Sequence, residues 1–477
     1  MKIARIAAIL LAFSLIAFAQ PQSDRQQFIR FDAPVIALTN IRVIDGTGVA
    51  PVENQTIVIS GGKIASIGPS SSTTVPAGAK TVDLAGYTVM PGLVGMHDHL
   101  FFPMGGNPPI YSTMGNSFPR LYLALGVTTI RTTGSVAPYT DLEIKRLIDT
   151  GAMIGPKMDV TAPYLEGKGA FTPVMHELTG ADDARKMVSF WADAGATSFK
   201  AYMNITRDEL RAVVEEAHKR GLKVTGHLCS VGYREAAEIG IDNLEHGLFP
   251  NSEYVADKKP DVCPSGINQA LINLDINGAA VQETIRVLVE KKVAITSTLP
   301  VFEANAPVAQ SGIGAARALL NQRMLNTMSN DARIRYLSAR ARIPPTAPVA
   351  TAVRKSMDFE RAFAKAGGLL LAGLDPTGNG GVVAGFGDLR EVELLVEAGF
   401  TPVEAIKIAS FNGAKYLGRD SQIGSIAVGK AADLMIVKGN PAANIFDIEN
   451  VEIVFKDGIG YDSEKLIQSV QGMVGVR

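Results

Sequence analysis

The sequence predicts a mixed α/β fold: a (β/α)8 TIM barrel with a small composite β-sandwich domain formed by the N- and C-terminal segments. Two observations predict it. Apolar strand candidates alternate with helical stretches through the long middle of the chain, and short alternating strands separated by glycine turns stand on both sides of that region. Strands spaced by helices are the signature of parallel βα units. Eight such units are the count that closes a barrel.

The chain has 477 residues, of which 47% are hydrophobic, enough for one large core and a smaller one. It opens with "MKIARIAAILLAFSLIAFAQ", in which Lys2 and Arg5 precede an apolar run from Ile6 to Phe18 and an Ala17-Phe18-Ala19 pattern. The run is too short for a comfortable membrane span, so residues 1–19 are expected to be a cleaved secretory signal, placing the mature chain in the periplasm or outside the cell. Cleavage removes two positive charges, so the formal net charge of -1 becomes -3. Acids and bases are interspersed, with no basic stripe for nucleic acid or, after signal cleavage, for a membrane surface. A small-molecule or small-peptide partner fits this balance, and homo-oligomerisation stays open.

From residue 20 to 89 the pattern is one of short strands and glycine turns, "IALTNIRVIDGTG", "TIVISGGKIASIG" and "TVDLAGYTVM". It returns from 419 to 477 in "GSIAVGKAADLMIVKGN" and "VEIVFKDG", and the two segments are expected to pair in space. Residues 90–418 then form the barrel. Its strand candidates are the run into His97, "VTTIRTTG", "KMDVTAPYL", "ATSFKAYM", "LKVTGHLCS", "DNLEHGLF", "VAITSTLPVF" and "LLLAGLDP", with helices such as "TRDELRAVVEEAHKRG" and "YREAAEIGI" between them. A helical insertion from about Ala304 to Pro345 lies between the seventh and eighth strands, as a lid or as a scaffold element.

The chemistry gathers at the ends of these strands. In a barrel the C-terminal strand ends converge on one face, so residues far apart in sequence can share a site. The first strand runs into "GMHDH", where His97 and His99 alternate and so point to one side. Lys200 lies in the fourth strand, His227 ends the fifth, His246 the sixth and Asp375 the eighth, so four of the six histidines occupy strand ends. The other two, His176 and His218, fall in a loop and an exposed helix, where a solvated role is the default.

Neutral imidazoles and a carboxylate are ligands that divalent zinc or a similar ion prefers, and this set exceeds what one tetrahedral ion needs. Two ions are suggested. A lysine ammonium cannot be a ligand, but an amine that has added carbon dioxide becomes a carbamate with two oxygens able to bridge them. That step needs the neutral amine, which burial favours.

With "GMHDH", "GVTTIR", "FKAYM", "GHLCS", "NLEHG" and "AGLDP" in this order, followed by "EAIKIASFNGAKYLG" and "GSIAVGKAADLMIV", the sequence resembles the amidohydrolase superfamily, in its binuclear subtype with a carboxylated lysine. "LEHG" and the helix before His227 are most similar to the branch of imidazolonepropionase-like proteins and secreted prolidase-like dipeptidases. The resemblance implies that His97, His99, Asp375 and carboxylated Lys200 hold the more buried metal, and that Lys200, His227 and His246 hold the other. The implied ions are two divalent cations, zinc first among them, with carbon dioxide held as the Lys200 carbamate. Asp375 is implied as the proton-transfer residue in attack by a hydroxide shared between the metals, and Asp98 faces away from them. Arg131 could clamp a substrate carboxylate, although a structural ion pair is the favoured reading, and Tyr202 is favoured as a core aromatic.

Two departures stand out. Cys229 occupies a position where many peptidases of that branch carry a carbonyl-binding tyrosine, and Gly373-Leu374-Asp375 replaces the commoner Gly-Thr-Asp or Gly-Ser-Asp. The implied activity is hydrolysis of amide or peptide C–N bonds in small peptides, Xaa-Pro-like dipeptides included, or in N-acyl amino acids. A cyclic amidase, lactonase or deaminase is the alternative, and a non-catalytic binding protein a more distant one. Specificity is assigned to the loop "PNSEYVADKKPDVCPSG" and the insertion. Cys229 and Cys263 are a single pair, which the sequence leaves either bonded or free.

Overall fold

The computed structural model describes residues 25–307 and 322–476. The expected signal segment and part of the insertion, residues 308–321, lie outside the described residues.

The two ends of the chain meet in one nine-stranded sheet. Leu434–Lys438 runs antiparallel to Tyr87–Pro91, with Ile436 opposite Val89, so the β segments flanking the middle region do pair. Alternation puts Ile36, Leu38, Ile57, Ile59, Ile436 and Phe455 into one apolar cluster. The turn between Val52–Ser60 and Lys63–Pro69 is the two-residue Gly61-Gly62, at φ 56° and 75°. A left-handed backbone at both central positions matches the right-handed twist of the flanking strands, and glycine adopts it without strain.

All eight middle-region candidates contain a strand, and the strands run parallel. Leu93–Gly95 pairs with Val127–Arg131, which pairs with Lys157–Asp159. The third candidate is broken at Val160 and resumes as Thr161–Glu166, which heads a second parallel series through Ser198–Ala201, Lys223–Gly226, Asn243–Glu245, Ala294–Ser297 and Leu370–Ala372. Their residues are buried almost throughout, as strands covered on both faces must be. Backbone hydrogen bonds also join the two series: Met96 N–H donates to Ala372 O at 2.8 Å, Asp375 N–H to His97 O at 2.9 Å, and Ser135 N–H to Ala162 O at 3.3 Å.

The expected helices form where their caps are. Arg207–Lys219 starts with a capping box in which the Thr206 N–H donates to Glu209 Oε2 at 2.9 Å and the Glu209 N–H donates to Thr206 Oγ1 at 3.3 Å. Its Leu210, Val213, Val214 and Ala217 form the buried stripe. Tyr233–Ile239 ends at Gly240, whose φ of 105° is a left-handed C-terminal stop.

The insertion contains the helix Asn330–Ala341. The Ser329 N–H donates to Val474 O at 2.8 Å and Arg340 Nη1 to Ala304 O at 2.8 Å, so this helix is docked onto the C-terminal tail and the end of Leu299–Glu303.

Candidate metal centre and active site

The six strand-end residues meet in one pocket. His97, His99, Lys200, His227, His246 and Asp375 line a cavity of about 230 Å³, with Tyr111, Tyr164, Tyr202 and Phe302 among its walls. Ligand-capable atoms of His97, His99 and Asp375 lie within 4.8 Å of one another. The ring of His246 is 4.5 Å from that of His97 and 4.4 Å from that of His227, centre to centre. Lys200 Nζ is 3.2 Å from His97 Nε2.

Two of these residues take a backbone conformation that side chains avoid. His246 has φ 69° and Asp375 φ 52°, in the left-handed region that most residues other than glycine avoid and that asparagine, aspartate and histidine enter more often than the rest. Strain of this kind persists where the surroundings overdetermine it, and it clusters at functional sites. Next to Asp375, a Cβ at Gly373 would stand 2.4 Å from the His97 backbone nitrogen, so glycine there lets the first and eighth strands close up.

Hydrogen bonds on the far side of the rings set their orientation. His97 Nδ1 contacts Glu245 Oε2 at 2.7 Å, and His99 Nδ1 contacts the Gly134 carbonyl at 3.1 Å. In each case Nε2 is left facing Asp375, at 3.8 Å for His97 and 3.5 Å for His99. His246 Nδ1 contacts Thr298 Oγ1 at 2.8 Å. Burial, then the Lys200 charge, pushes the His97 and His99 imidazoles well below the ordinary histidine range. Burial and then His227 do the same to His246, and burial brings His227 down to about 3. The four rings are therefore neutral, the form that ligates metal.

Burial raises the Asp375 carboxyl to about 6, and its Oδ1 lies buried without a hydrogen-bond donor. A buried carboxylate oxygen in need of a partner, facing neutral imidazole nitrogens, is what a divalent cation satisfies. These residues fit a metal. Burial also lowers the Lys200 amine to about 8, so the neutral amine is accessible near neutral pH.

The structure assigns Arg131 to the foundations. Its side chain is 1% exposed, with Nη2 donating to Glu245 Oε1 at 2.7 Å, Asn243 Oδ1 at 2.8 Å and Met96 O at 2.6 Å. This is the structural ion pair, and it holds the carboxylate that holds His97. Glu245 and Asn243 are functional residues that the strand-end survey passed over. Their spacing of two, ending beside His246, is the signal that would have found them. Asp98 does not line the pocket. Burial, then the Asp388 carboxylate, pushes its carboxyl well up. The remaining histidines pair with surface acids, His176 with Asp183 and His218 with Asp242, both at 2.9 Å.

Glu245→Gln is expected to weaken metal affinity by about 10–100-fold through the loosened His97 ring. It also leaves the Arg131 cation buried without its carboxylate, at about 3–5 kcal/mol of stability. Chelator competition reads the first effect and denaturant titration the second.

Cys229 and Cys263 form a disulfide, which resolves the open pairing. Cys229 lies two residues beyond His227, so the bridge fastens the long loop after His246 to the rim of the site.

A mixed α/β scaffold that sets neutral imidazoles and a buried carboxylate at its strand ends defines a metal-binding hydrolase. Residues 88–459, more than half of the chain, match the Amidohydrolase family, and the chain belongs to it. A Bifidobacterium longum protein proposed to be a prolidase is 25% identical, with a TM-score of 0.66 over 91% of this chain and 98% of that one. A Xaa-Pro dipeptidase solved with methionine in its active site is 22% identical, with a TM-score of 0.66 over 90% and 100% of the two chains. A bottromycin amidohydrolase is 19% identical, with a TM-score of 0.67 over 93% and 92%. No curated protein matches the chain. The chain is thus a hydrolytic enzyme whose structural neighbours include prolidase-like amidohydrolases.

Proposed function

We propose that this chain is an exported, binuclear amidohydrolase that cleaves amide or peptide C–N bonds in small peptides or N-acyl amino acids. The observation that carries the reading is the convergence of His97, His99, Lys200, His227, His246 and Asp375 on one pocket. The parallel series, linked through Met96–Ala372 and Ser135–Ala162, supports a closed (β/α)8 barrel over residues 90–418, with the composite β domain supplied by 20–89 and 419–477. The disulfide supports export, since such bonds persist in oxidising compartments.

His97, His99 and Asp375 would hold one divalent ion, zinc being the first candidate, and His227 and His246 the second, with Lys200 as a carbamate between them. Bound there, the ions would supply Lewis acidity to the scissile carbonyl and lower the pKa of water toward about 7. Asp375, with Oδ2 3.8 Å from both His97 Nε2 and His246 Nδ1, would take the proton of the attacking water and hand it to the leaving nitrogen. The Cys229 sulfur is bonded and carries no proton, so no donor to the carbonyl exists at that position. Tyr202, which lines the pocket with its ring 4.8 Å from that of His227, would take over that role.

The test is a panel of Xaa-Pro dipeptides, N-acyl amino acids, lactones and aminated heterocycles, run on metal-replete protein. Hydrolysis of the amides with kcat/KM above that of every lactone is expected. Turnover confined to lactones, or ammonia release from the heterocycles, overturns the reading in favour of a lactonase or deaminase.

A further inference from the structure

Beside the metal pocket lies a second, larger cavity of about 580 Å³. It shares His227 and Phe302 with the first, so the two adjoin at those rings. Its other walls include Met203, Phe249, Ile267 and Ile272, together with the Cys229–Cys263 bridge, and among the described residues none of its lining side chains is an acid, a lysine or an arginine. His227 is the most accessible of the four site histidines, consistent with its place at the junction.

The outer wall is a long irregular segment pinned to its surroundings. Residues 247–266 contain neither helix nor strand, a length uncommon in compact domains unless it serves function. Its attachments include the disulfide, the Lys258 amine donating to Ser230 O at 2.7 Å, the Arg207–Asp261 ion pair at 3.0 Å, and Phe249 stacked on Phe302. Of these, the disulfide, the Lys258 bond and the stacked rings bring the loop against the segment that follows the fifth strand or against the cavity's own aromatic wall.

We propose that this cavity is a specificity subsite that seats a bulky apolar substituent of the substrate, aromatic or branched aliphatic, with the Cys229–Cys263 bridge fixing its wall. The inference rests on the amidohydrolase reading above and deepens it by naming the substrate class. A volume of about 580 Å³ beside the reacting centre exceeds what the side chain of an ordinary dipeptide fills, and apolar walls of this kind are what ligand pockets use to bury hydrocarbon. Binding energy gained there, away from the reacting bond, can be spent on positioning the amide at the metal centre.

The experiment compares N-acetylglycine with N-phenylacetylglycine and N-acetyl-L-phenylalanine, so that the ring is offered from either side of the amide. Wild type, Ile272→Trp, which fills the cavity, and the Cys229→Ser/Cys263→Ser double variant are compared. In wild type at least one ring-bearing substrate should exceed N-acetylglycine in kcat/KM by roughly tenfold or more, a ratio expected of an apolar pocket. Both variants should lower that ratio. Calorimetry on chelator-treated protein supplies a readout independent of turnover: the ring-bearing compounds should bind to wild type and weaken in Ile272→Trp. Differential binding without turnover of any amide keeps the subsite and sinks the amide reading. Turnover of amides with no preference for the ring, or a preference that Ile272→Trp leaves intact, overturns the subsite. Should the double variant fail to fold, Ile272→Trp decides alone.

Discussion

Replacing Asp375 with asparagine is expected to lower kcat by about 10²–10⁴-fold, the range lost when a positioned proton-transfer group is removed. Asparagine is the informative substitution for a backbone reason as well as a chemical one. Asp375 sits at φ 52°, a conformation that asparagine shares readily and that alanine resists, so the eighth strand end should keep its geometry. The amide retains the size of the carboxylate and one oxygen acceptor, but it cannot take a proton from water or return one to a leaving nitrogen. Because the same side chain would also ligate metal, elemental analysis must accompany the kinetics. A variant that keeps the wild-type metal content and loses turnover identifies proton transfer as the missing step. One that keeps its metal and loses less than about threefold would leave Asp375 as a ligand only.

The strand ends and their residues could be read from the sequence because both signals are local. An apolar run followed by alternating His97 and His99, or by a single His227, His246 or Asp375, is visible within a few positions. A helix such as Arg207–Lys219 announces its own start through Thr206 and Glu209. What escaped is what depends on distant partners. Glu245 gains its role from His97 and Arg131, the latter 114 residues away, and neither pairing leaves a periodic trace. The Cys229–Cys263 bond requires the loop after His246 to fold back on the fifth strand, and nothing in the spacing of two cysteines says that it does. The insertion is similar. Its helical character is legible, but its attachment to the C-terminal tail through Ser329 and Val474 is a tertiary fact.

Lys200→Ala is expected to reduce metal content from about two ions per chain to one or none and to lower kcat/KM by upward of about 10³-fold, since a lost ion removes several kcal/mol of charge stabilisation. The argument starts from burial. The Lys200 side chain is 1% exposed and 3.2 Å from a His97 nitrogen, a burial that disfavours its ammonium form, and two metal ions bound beside it would repel that charge further. Its amine, lowered to about 8, has a substantial neutral fraction near neutral pH. The neutral nitrogen can attack the carbon of carbon dioxide, forming the N–C bond and releasing one N–H proton to solvent. The product carries a negative charge over two oxygens in place of a positive one. That exchange would turn the least plausible ligand of the six into the one best able to join the two proposed ions. Protein loaded in ¹³C-bicarbonate should show a carbonyl carbon signal that wild type has and Lys200→Ala lacks, and metal uptake by wild type should slow when bicarbonate is withheld. One ion in both proteins, indifferent to bicarbonate, would remove the bridge and leave a mononuclear hydrolase built on His97, His99 and Asp375.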